Sequence, residues 1–383
     1  MSIIIKPYRW SAYEGGQWIL EVGDEQHFLL NTQTKNLVEL LDACEDLATA
    51  REKFNSRFSF DLDQEEFDDF INERLSFTGL LEGEVFEQRQ SKSFIKFEFT
   101  LLPKKVAALV ARPFEGLFLE KFFWPTFIIL FLLAVWTLFY NVPEERSISI
   151  LLFFILYLPT VFLHELGHVA ACRRFTGKNG EIGAGLYILF PVFFSNIKAM
   201  WMTTKKNRVI ANLAGVYMQL WCMLLCLLGS YIFGFANILV ELCYILALMS
   251  VFQLLPFIRS DGYWLLSDLT STPNLLSKSK ETFKNSFARP RAFFVKKGMG
   301  KRIFLWIYGV FNTLFIFYFV GVQLVFNWQH IFEFPSRLIS NLLHLDFDFS
   351  IRDLSVVIFY MIVFKYAKRL IRPMLNKKIE KKG

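Results

Sequence analysis

The sequence H-E-L-G-H at residues 164 to 168 places a glutamate between two histidines four positions apart. In an α-helix, positions i and i+4 differ by roughly 40° around the axis, so His164 and His168 face the same way. In this pattern two imidazoles bind zinc, and the glutamate, here Glu165, acts as general base. A chance match in a protein core is the alternative. It is disfavoured because the chain has only five histidines and an unpartnered buried glutamate is costly.

The segment that carries this motif is itself apolar. Residues 150–172 form a nearly unbroken hydrophobic run, long enough to cross a bilayer as a helix. Ionisable groups inside such a segment are costly and are usually functional. The whole chain is 54% hydrophobic and 17% aromatic, with 45 phenylalanines, a composition typical of integral membrane proteins. The motif is therefore predicted to lie within the lipid bilayer.

Apolar stretches elsewhere predict a mainly α-helical polytopic membrane protein with about six transmembrane helices. The predicted spans are residues 123–141, 150–172, 208–235, 238–258, 303–326 and 353–371. A shorter apolar segment, 183–200, contains two glycines and Pro191 and has basic flanks. We interpret it as a re-entrant loop or hairpin near the active site, which is tolerated where protein or a water-filled cavity satisfies the backbone. A plain short helix is the alternative.

The distribution of lysine and arginine predicts the topology. Basic residues are concentrated in the connections 173–208 and 259–302 and in the C-terminal tail, whereas 142–149 and 327–350 carry one each. Because cytoplasmic loops carry the excess of positive charge, both termini are expected in the cytoplasm and the zinc site in the cytoplasmic half of the membrane. The predicted location is the cell membrane. No signal peptide is recognisable at the N-terminus, so the first domain is not expected to be exported.

The N-terminal region reads as a small soluble α+β module. Residues 17–22 and 26–30 alternate around a Gly-Asp turn and predict a β-hairpin, and three helices follow, the first starting at Asn31 and the third capped by Asp63. This order is winged-helix-like. Residues 11–90 hold 19 acidic and six basic side chains. Such a charge repels phosphate, so we expect no nucleic-acid partner, and peptide binding by strand addition fits better.

The domain organisation follows from these features. Residues 86–122 alternate aromatic with basic side chains, as a linker and interfacial segment does. The predicted domains are 1–85 (cytoplasmic winged-helix-like module), 86–122 (linker), 123–372 (membrane domain) and 373–383 (basic tail).

A catalytic zinc usually has three protein ligands, and no third histidine is well placed. Asp261 is the favoured candidate, because it closes the fourth predicted span at the cytoplasmic end, the predicted depth of the H-E-L-G-H motif. Glu241 would lie near the opposite face, and Glu181 and Asp268 lie in polar connections. The alternative is that Asp261 only caps a helix.

These motifs together resemble the site-2 protease class of intramembrane zinc metalloproteases. The resemblance rests on H-E-L-G-H, the apolar segment after it, and P-x-x-x-x-D-G ending at Gly262. Within that class the chain is similar to the peptide zinc metalloproteases of peptide-maturation and export systems, through Trp201, Met202, Arg208, Val209, Ala214, Gly215 and D-G-Y-W-L-L-S-D. The resemblance implies that His164, His168 and Asp261 are zinc ligands and that Glu165 is the catalytic base.

Two positions depart from that family pattern. Gln253 stands where the family commonly has asparagine, and Val216 replaces a frequent proline. Gln253 can still donate a hydrogen bond to substrate or to an oxyanion, and Asn196 is a second candidate for that role.

The N-terminal module resembles PqqD-like domains, which bind leader segments of ribosomally made peptides. The resemblance covers about residues 15–83, with pattern positions Asn31, Leu37, Leu40, Leu41, Gly79, Leu80 and Leu81. A helical module that only packs on the membrane domain is the alternative.

The favoured function is an intramembrane zinc endopeptidase that cleaves a peptide or membrane-associated substrate, in maturation or export of a ribosomally made peptide. Its expected partners are a leader-peptide substrate, the lipid bilayer and a peptide exporter. Two alternatives remain open at this point. One is a non-catalytic peptide-binding partner of an exporter, and the other is a protease of a membrane-anchored regulator.

Overall fold

A computed structural model describes most of the chain. The described residues are 5–23, 26–81, 95–140, 150–187, 190–233, 236–257, 259–288, 290, 295, 298–344, 353, 355–357, 359–360, 362–364 and 367. The chain divides into two compact units, Met1–Ser271 and Thr272–Gly383. The residues outside the described part include 82–94, where the predicted linker 86–122 begins, as well as much of the sixth predicted span and the basic tail.

The first unit begins with the predicted small α+β module. Strands β1 (Tyr8–Tyr13), β2 (Gln17–Val22) and β3 (Gln26–Asn31) form an antiparallel sheet in that order. The predicted hairpin is the pair β2 and β3, and β1 is an additional strand. Helices α1 (Thr32–Asp42), α2 (Leu47–Phe58) and α3 (Gln64–Leu75) pack on the sheet around a separate apolar core.

Local side chains account for where these helices begin. The Asn31 carboxamide oxygen accepts a hydrogen bond from the Thr34 amide at 2.8 Å, and Asp46 does the same for Thr49. Asp63 and Glu66 form a reciprocal capping box at the start of α3. Each cap satisfies amides that the first helical turn leaves without partners. The predicted starts at Asn31 and Asp63 are confirmed, whereas the likeness to PqqD-like domains stays a prediction.

Three described helices are long and apolar enough to cross a bilayer, which identifies the chain as a membrane protein. They are Glu120–Tyr140, Lys205–Ile232 and Met299–Phe326. Each overlaps a predicted span. Two shorter apolar helical stretches, Ile238–Gln253 and Ser355–Phe364, fall within two further predicted spans.

The helices of the first unit pack around the H-E-L-G-H motif of residues 164–168. After the short helix α4 (Lys104–Ala111) come the long helices α5 (Glu120–Tyr140), α6 (Ile150–Thr176), α7 (Lys205–Phe233) and α8 (Ala236–Gln253), then the short α9 (Asp261–Leu269). Small residues allow α6 and α7 to approach closely. A β-carbon on Gly167 would lie 2.6 Å from the Ala214 carbonyl oxygen, a separation that only glycine permits.

The segment predicted as a re-entrant loop or hairpin is a β-hairpin. Strands β5 (Glu181–Tyr187) and β6 (Phe190–Asn196) pair antiparallel, with Gly183 opposite Phe194. They join strand β4 (Ile95–Leu102) in a second sheet of order β4-β5-β6. The sequence placed β4 in the interfacial linker, because its alternation of Phe and charged residues was ascribed to the membrane surface. Strand pairing across some 80 positions has no local signature.

Besides the short stretch Ser355–Phe364, the second unit contains three helices that are described over their full length. They are α10 (Leu275–Ala288), α11 (Met299–Phe326) and α12 (Trp328–His344). Helix α12 occupies the connection that the topology prediction placed outside the membrane between 327 and 350. Its Ile331 and Phe334 are buried against Val356 and Phe359.

Candidate active site

Helix α6 brings the motif histidines together on one buried face. The Nε2 atoms of His164 and His168 are 3.2 Å apart. His164, Glu165 and His168 are buried, with 5 to 9% of each residue exposed. The i, i+4 spacing therefore converges two potential ligand atoms on one point, as predicted.

Asp261 completes this group. Its Oδ2 lies 3.2 Å from His164 Nε2, and its Oδ1 lies 3.5 Å from His168 Nε2. Among the described residues, these three form a group whose donor atoms could jointly hold a metal ion, because the donor atoms all lie within 4.8 Å of one another. Asp261 reaches this position because α9 starts with it, immediately after a tight connection from α8. A β-carbon on Gly262 would lie 2.1 Å from the Leu254 carbonyl oxygen, so this connection needs glycine.

The donor set fits a zinc ion. Zinc–nitrogen and zinc–oxygen distances of about 2.0 to 2.1 Å imply ligand separations of about 3.3 Å in a tetrahedron. The separations of 3.2, 3.2 and 3.5 Å match that value. Two imidazoles and one carboxylate also form the ligand set of catalytic sites that keep a fourth position open.

Gly215 on α7 keeps the space beside the histidines open. A β-carbon there would lie 2.3 Å from His164 Nε2 and 2.5 Å from His168 Nε2. Any larger residue would occupy the space where the ligand atoms converge. The close approach of α7 to this face of α6 therefore depends on glycine at 215.

The environment of the ligands sets their protonation. The His168 Nδ1–H donates to the Ala211 carbonyl oxygen at 2.8 Å, which directs the Nε2 lone pair toward the group. The buried His164 Nδ1 has no hydrogen-bond partner among the described residues. Burial of Asp261 favours its neutral form, but the imidazoles of His168 and His164 outweigh burial and lower the pKa of this carboxyl. Asp261 is therefore anionic, as a metal ligand requires.

Glu165 is held by a residue that sequence reasoning missed. The Ser195 hydroxyl, on β6, lies 2.5 Å from Glu165 Oε2 and 2.9 Å from the Glu165 carbonyl oxygen. The side chain of Glu165 is thus oriented by the β-hairpin. The only sequence signal was the polar Ser-Asn pair that ends an otherwise apolar segment.

If this site hydrolyses peptides with a bound zinc ion, replacing Ser195 with alanine is expected to lower the rate about tenfold to a hundredfold while leaving zinc bound, since losing a side chain that orients a functional group at a metal site usually has an effect of this size. Removing the hydroxyl frees Glu165 to rotate away from its position. The rate with a quenched peptide substrate and the zinc content measure the two effects. Ser230→Ala is the matched control, because the Ser230 hydroxyl donates to the Leu227 carbonyl oxygen within its own helix. A Ser195→Ala enzyme as fast as wild type would contradict this role.

All of the predicted site residues line one cavity of about 1080 Å³. Asn196 donates to Glu181 Oε1 at 2.9 Å, so its amide is already engaged. The Gln253 carboxamide oxygen is buried and has no partner among the described residues. Gln253 therefore has a buried acceptor atom without a described partner, whereas the predicted role needs its amide nitrogen as a donor. Their roles toward substrate stay predictions.

The other acidic candidates do not join the donor group. Glu181 and Asp268 line the cavity, but Glu181 accepts from Asn196, and Asp268 pairs with Arg208 at 2.7 Å and accepts from Asn212 at 2.7 Å. The two contacts of Asp268 tie α9 to α7. Sequence reasoning missed this role, although it noted Arg208 within a motif and Asp268 as a possible ligand.

Comparisons with known proteins give one informative relative. The chain is 29% identical over 122 residues to the "Putative peptide zinc metalloprotease protein YydH" of Bacillus subtilis (strain 168). The match covers 31% of this chain and 46% of that protein, so the chain spans less than half of its relative's length. No family model and no solved structure matches the chain. The similarity, taken with the His164, His168 and Asp261 group, supports a relationship to zinc metalloproteases.

Proposed function

We propose that this protein is a membrane-embedded zinc-dependent endopeptidase. The observation that carries the proposal is the convergence of His164, His168 and Asp261 at zinc-ligand separations, with Glu165 lining the same cavity. The similarity to a peptide zinc metalloprotease supports the same chemistry.

In this proposal His164, His168 and Asp261 hold the zinc ion. When bound, zinc supplies Lewis acidity, which polarises a scissile carbonyl and makes water a better nucleophile. Glu165 takes the proton from that water and delivers it to the leaving amine nitrogen. Ser195 orients Glu165 for both transfers through its hydroxyl. The buried surroundings of the histidines strengthen these electrostatic interactions relative to water.

The free edge of the β-hairpin is a binding site for an extended substrate in this proposal. β6 is an outer strand of its sheet, and no described strand pairs with its free edge. Residues 192–196 of this strand line the cavity, and Ser195 contacts Glu165. A peptide added along this edge would form main-chain hydrogen bonds next to the catalytic groups. Main-chain recognition suits proteolysis because it holds the substrate extended.

The peptide-maturation role extends this proposal. The acidic N-terminal module would capture the leader of a ribosomally made peptide, with a peptide exporter as downstream partner. Six spans in the cell membrane, with both termini in the cytoplasm, would place module and cavity on the same side. The non-catalytic alternative makes a different prediction, since its function would survive loss of Glu165.

The zinc content of purified protein tests the proposal. We expect about one zinc per wild-type chain and a large loss in Asp261→Ala, because two histidines alone hold zinc weakly. Elemental analysis after gel filtration in detergent measures both. Glu241→Gln is the control, since Glu241 is a buried acidic residue that lies outside the donor group. Wild-type protein without zinc, or Asp261→Ala with undiminished zinc, would contradict the proposed site.

A further inference from the structure

The N-terminal module contacts the residues that hold α9, the helix that starts with Asp261. The last residue of β1, Tyr13, is 8% exposed and packs against the membrane part of the same unit. The Arg208 guanidinium on α7 lies over the Tyr13 ring, 5.1 Å from the ring centroid. The Ser11 hydroxyl donates to the Met202 carbonyl oxygen at 3.1 Å on the same side. The module is therefore packed directly against the residues near the cavity.

Arg208 connects Tyr13 of the module to Asp268 on α9. It is 5% exposed, and its Nε donates to Asp268 Oδ1 at 2.7 Å while its Nη1 donates to the Thr203 carbonyl at 2.8 Å. Asn212 donates to the second Asp268 oxygen at 2.7 Å. A half-buried carboxylate held by two donors from one neighbouring helix restrains the helix that carries it.

A second contact from the module reaches the end of α9. Glu14 accepts from Lys205 Nζ at 2.8 Å and from the Ser271 hydroxyl, and Ser271 lies two residues beyond the helix. These donors, Lys205 first, lower the pKa of the Glu14 carboxyl. Asp261 and Asp268 are seven residues apart, which corresponds to about 10 Å along the helix. The C-terminal end of α9 is thus bound by the module and α7, and its N-terminal residue points into the donor group.

We infer that the N-terminal module supports the metal site by restraining α9. In this inference Tyr13, Arg208 and Asp268 are positioning residues that hold Asp261 in place through that helix. This inference rests on the proposed zinc function. It implies that occupation or displacement of the module changes metal affinity, so substrate capture and the chemical centre are coupled. Such coupling requires that the module favours one position of α9 over others.

The zinc affinity of full-length protein in detergent, measured with zinc ion by chelator competition, tests the inference. Asp268→Asn is expected to weaken zinc binding about tenfold to a hundredfold, as loss of a residue that orients a ligand does. Tyr13→Ala should weaken it several-fold, and Tyr13→Phe, which keeps the ring over Arg208, should bind like wild type. Because all act through one network, Tyr13→Ala combined with Asp268→Asn should be clearly less than additive.

A second background separates positioning from general damage to the fold. In Asp261→Ala protein, Asp268→Asn should change the remaining zinc affinity by less than about twofold, since the group it positions is gone. Lys206→Gln is the control, because it removes a charge from the same turn of α7 but its partner is the exposed Glu120. An equal loss in the Asp261→Ala background, or unchanged affinity in Asp268→Asn, overturns the inference.

Hydrogen exchange of residues 261–269 in metal-free protein gives a readout that does not depend on zinc. Tyr13→Ala and Asp268→Asn should each accelerate exchange in α9, and Lys206→Gln should not. If wild-type protein binds no zinc, the proposed function fails, and this measurement alone decides whether the module holds α9. Wild-type exchange rates in both variants would then reject the coupling.

Discussion

Replacing Glu165 with glutamine is expected to abolish peptide hydrolysis while leaving zinc bound. The amide has nearly the size of the carboxylate and still accepts from Ser195, so the fold and the donor group should persist. It cannot take a proton from water, and general acid–base catalysis by a positioned side chain contributes about a hundredfold to ten-thousandfold. Hydrolysis of a quenched peptide by detergent-solubilised protein measures the loss, and elemental analysis measures the zinc.

The same variant separates the enzyme from the non-catalytic alternative. Glu181→Gln is a suitable comparison, because Glu181 lines the same cavity but its carboxylate is engaged by Asn196. If Glu165→Gln retains more than a few per cent of wild-type hydrolysis, the proposed mechanism is wrong. If the variant also supports the biological process as well as wild type does, the protein is a binding partner and not a protease.

The convergence of the three candidate metal ligands could be predicted from the sequence because their geometry is local or nearly so. His164 and His168 lie one helical turn apart, so the period of the helix alone brings their Nε2 atoms together. Asp261 is almost 100 positions away, and its prediction needed the topology that placed the ends of two spans at one depth. The structure brings all three together. The fold class was predicted in part, since a mainly helical chain with three helices long enough to span a bilayer appears among the described residues, where apolar runs predicted six.

The surroundings of the site could not be predicted in the same way. Ser195 meets Glu165 only because β6 folds back on β5, and the pairing of β4 with β5 joins segments some 80 positions apart. Such pairing depends on side-chain complementarity between distant segments, which one sequence does not reveal. The docking of Tyr13 on Arg208 is of the same kind. Helix caps such as Asp63 were predicted because donor and acceptor are three residues apart.

Replacing Gly215 with alanine is expected to remove zinc from the protein without unfolding it. The new methyl group would lie 2.3 Å from His164 Nε2 and 2.5 Å from His168 Nε2, well inside van der Waals contact. Either the imidazoles rotate away from the common point or α7 moves off α6, and both disrupt the donor group. Mutation of a residue that only supports a metal ligand typically lowers metal affinity by up to roughly a hundredfold. Because the new methyl group would displace the ligand atoms themselves, we expect a larger fall in zinc affinity. Chelator competition measures the affinity, and circular dichroism reports the helices.

A second glycine on the same helix provides the control for this effect. Among the described residues, a β-carbon at Gly229 would meet Leu239 Cδ1 at 3.3 Å, which is the end of a flexible side chain. Gly229→Ala should therefore keep zinc and activity, and it should stabilise the helix by about 0.5 to 1 kcal/mol, the usual difference between alanine and glycine. Normal zinc affinity in Gly215→Ala would mean that the two histidines do not bind metal through their Nε2 atoms. The open space beside Gly215 would then have to be explained by a different ligand.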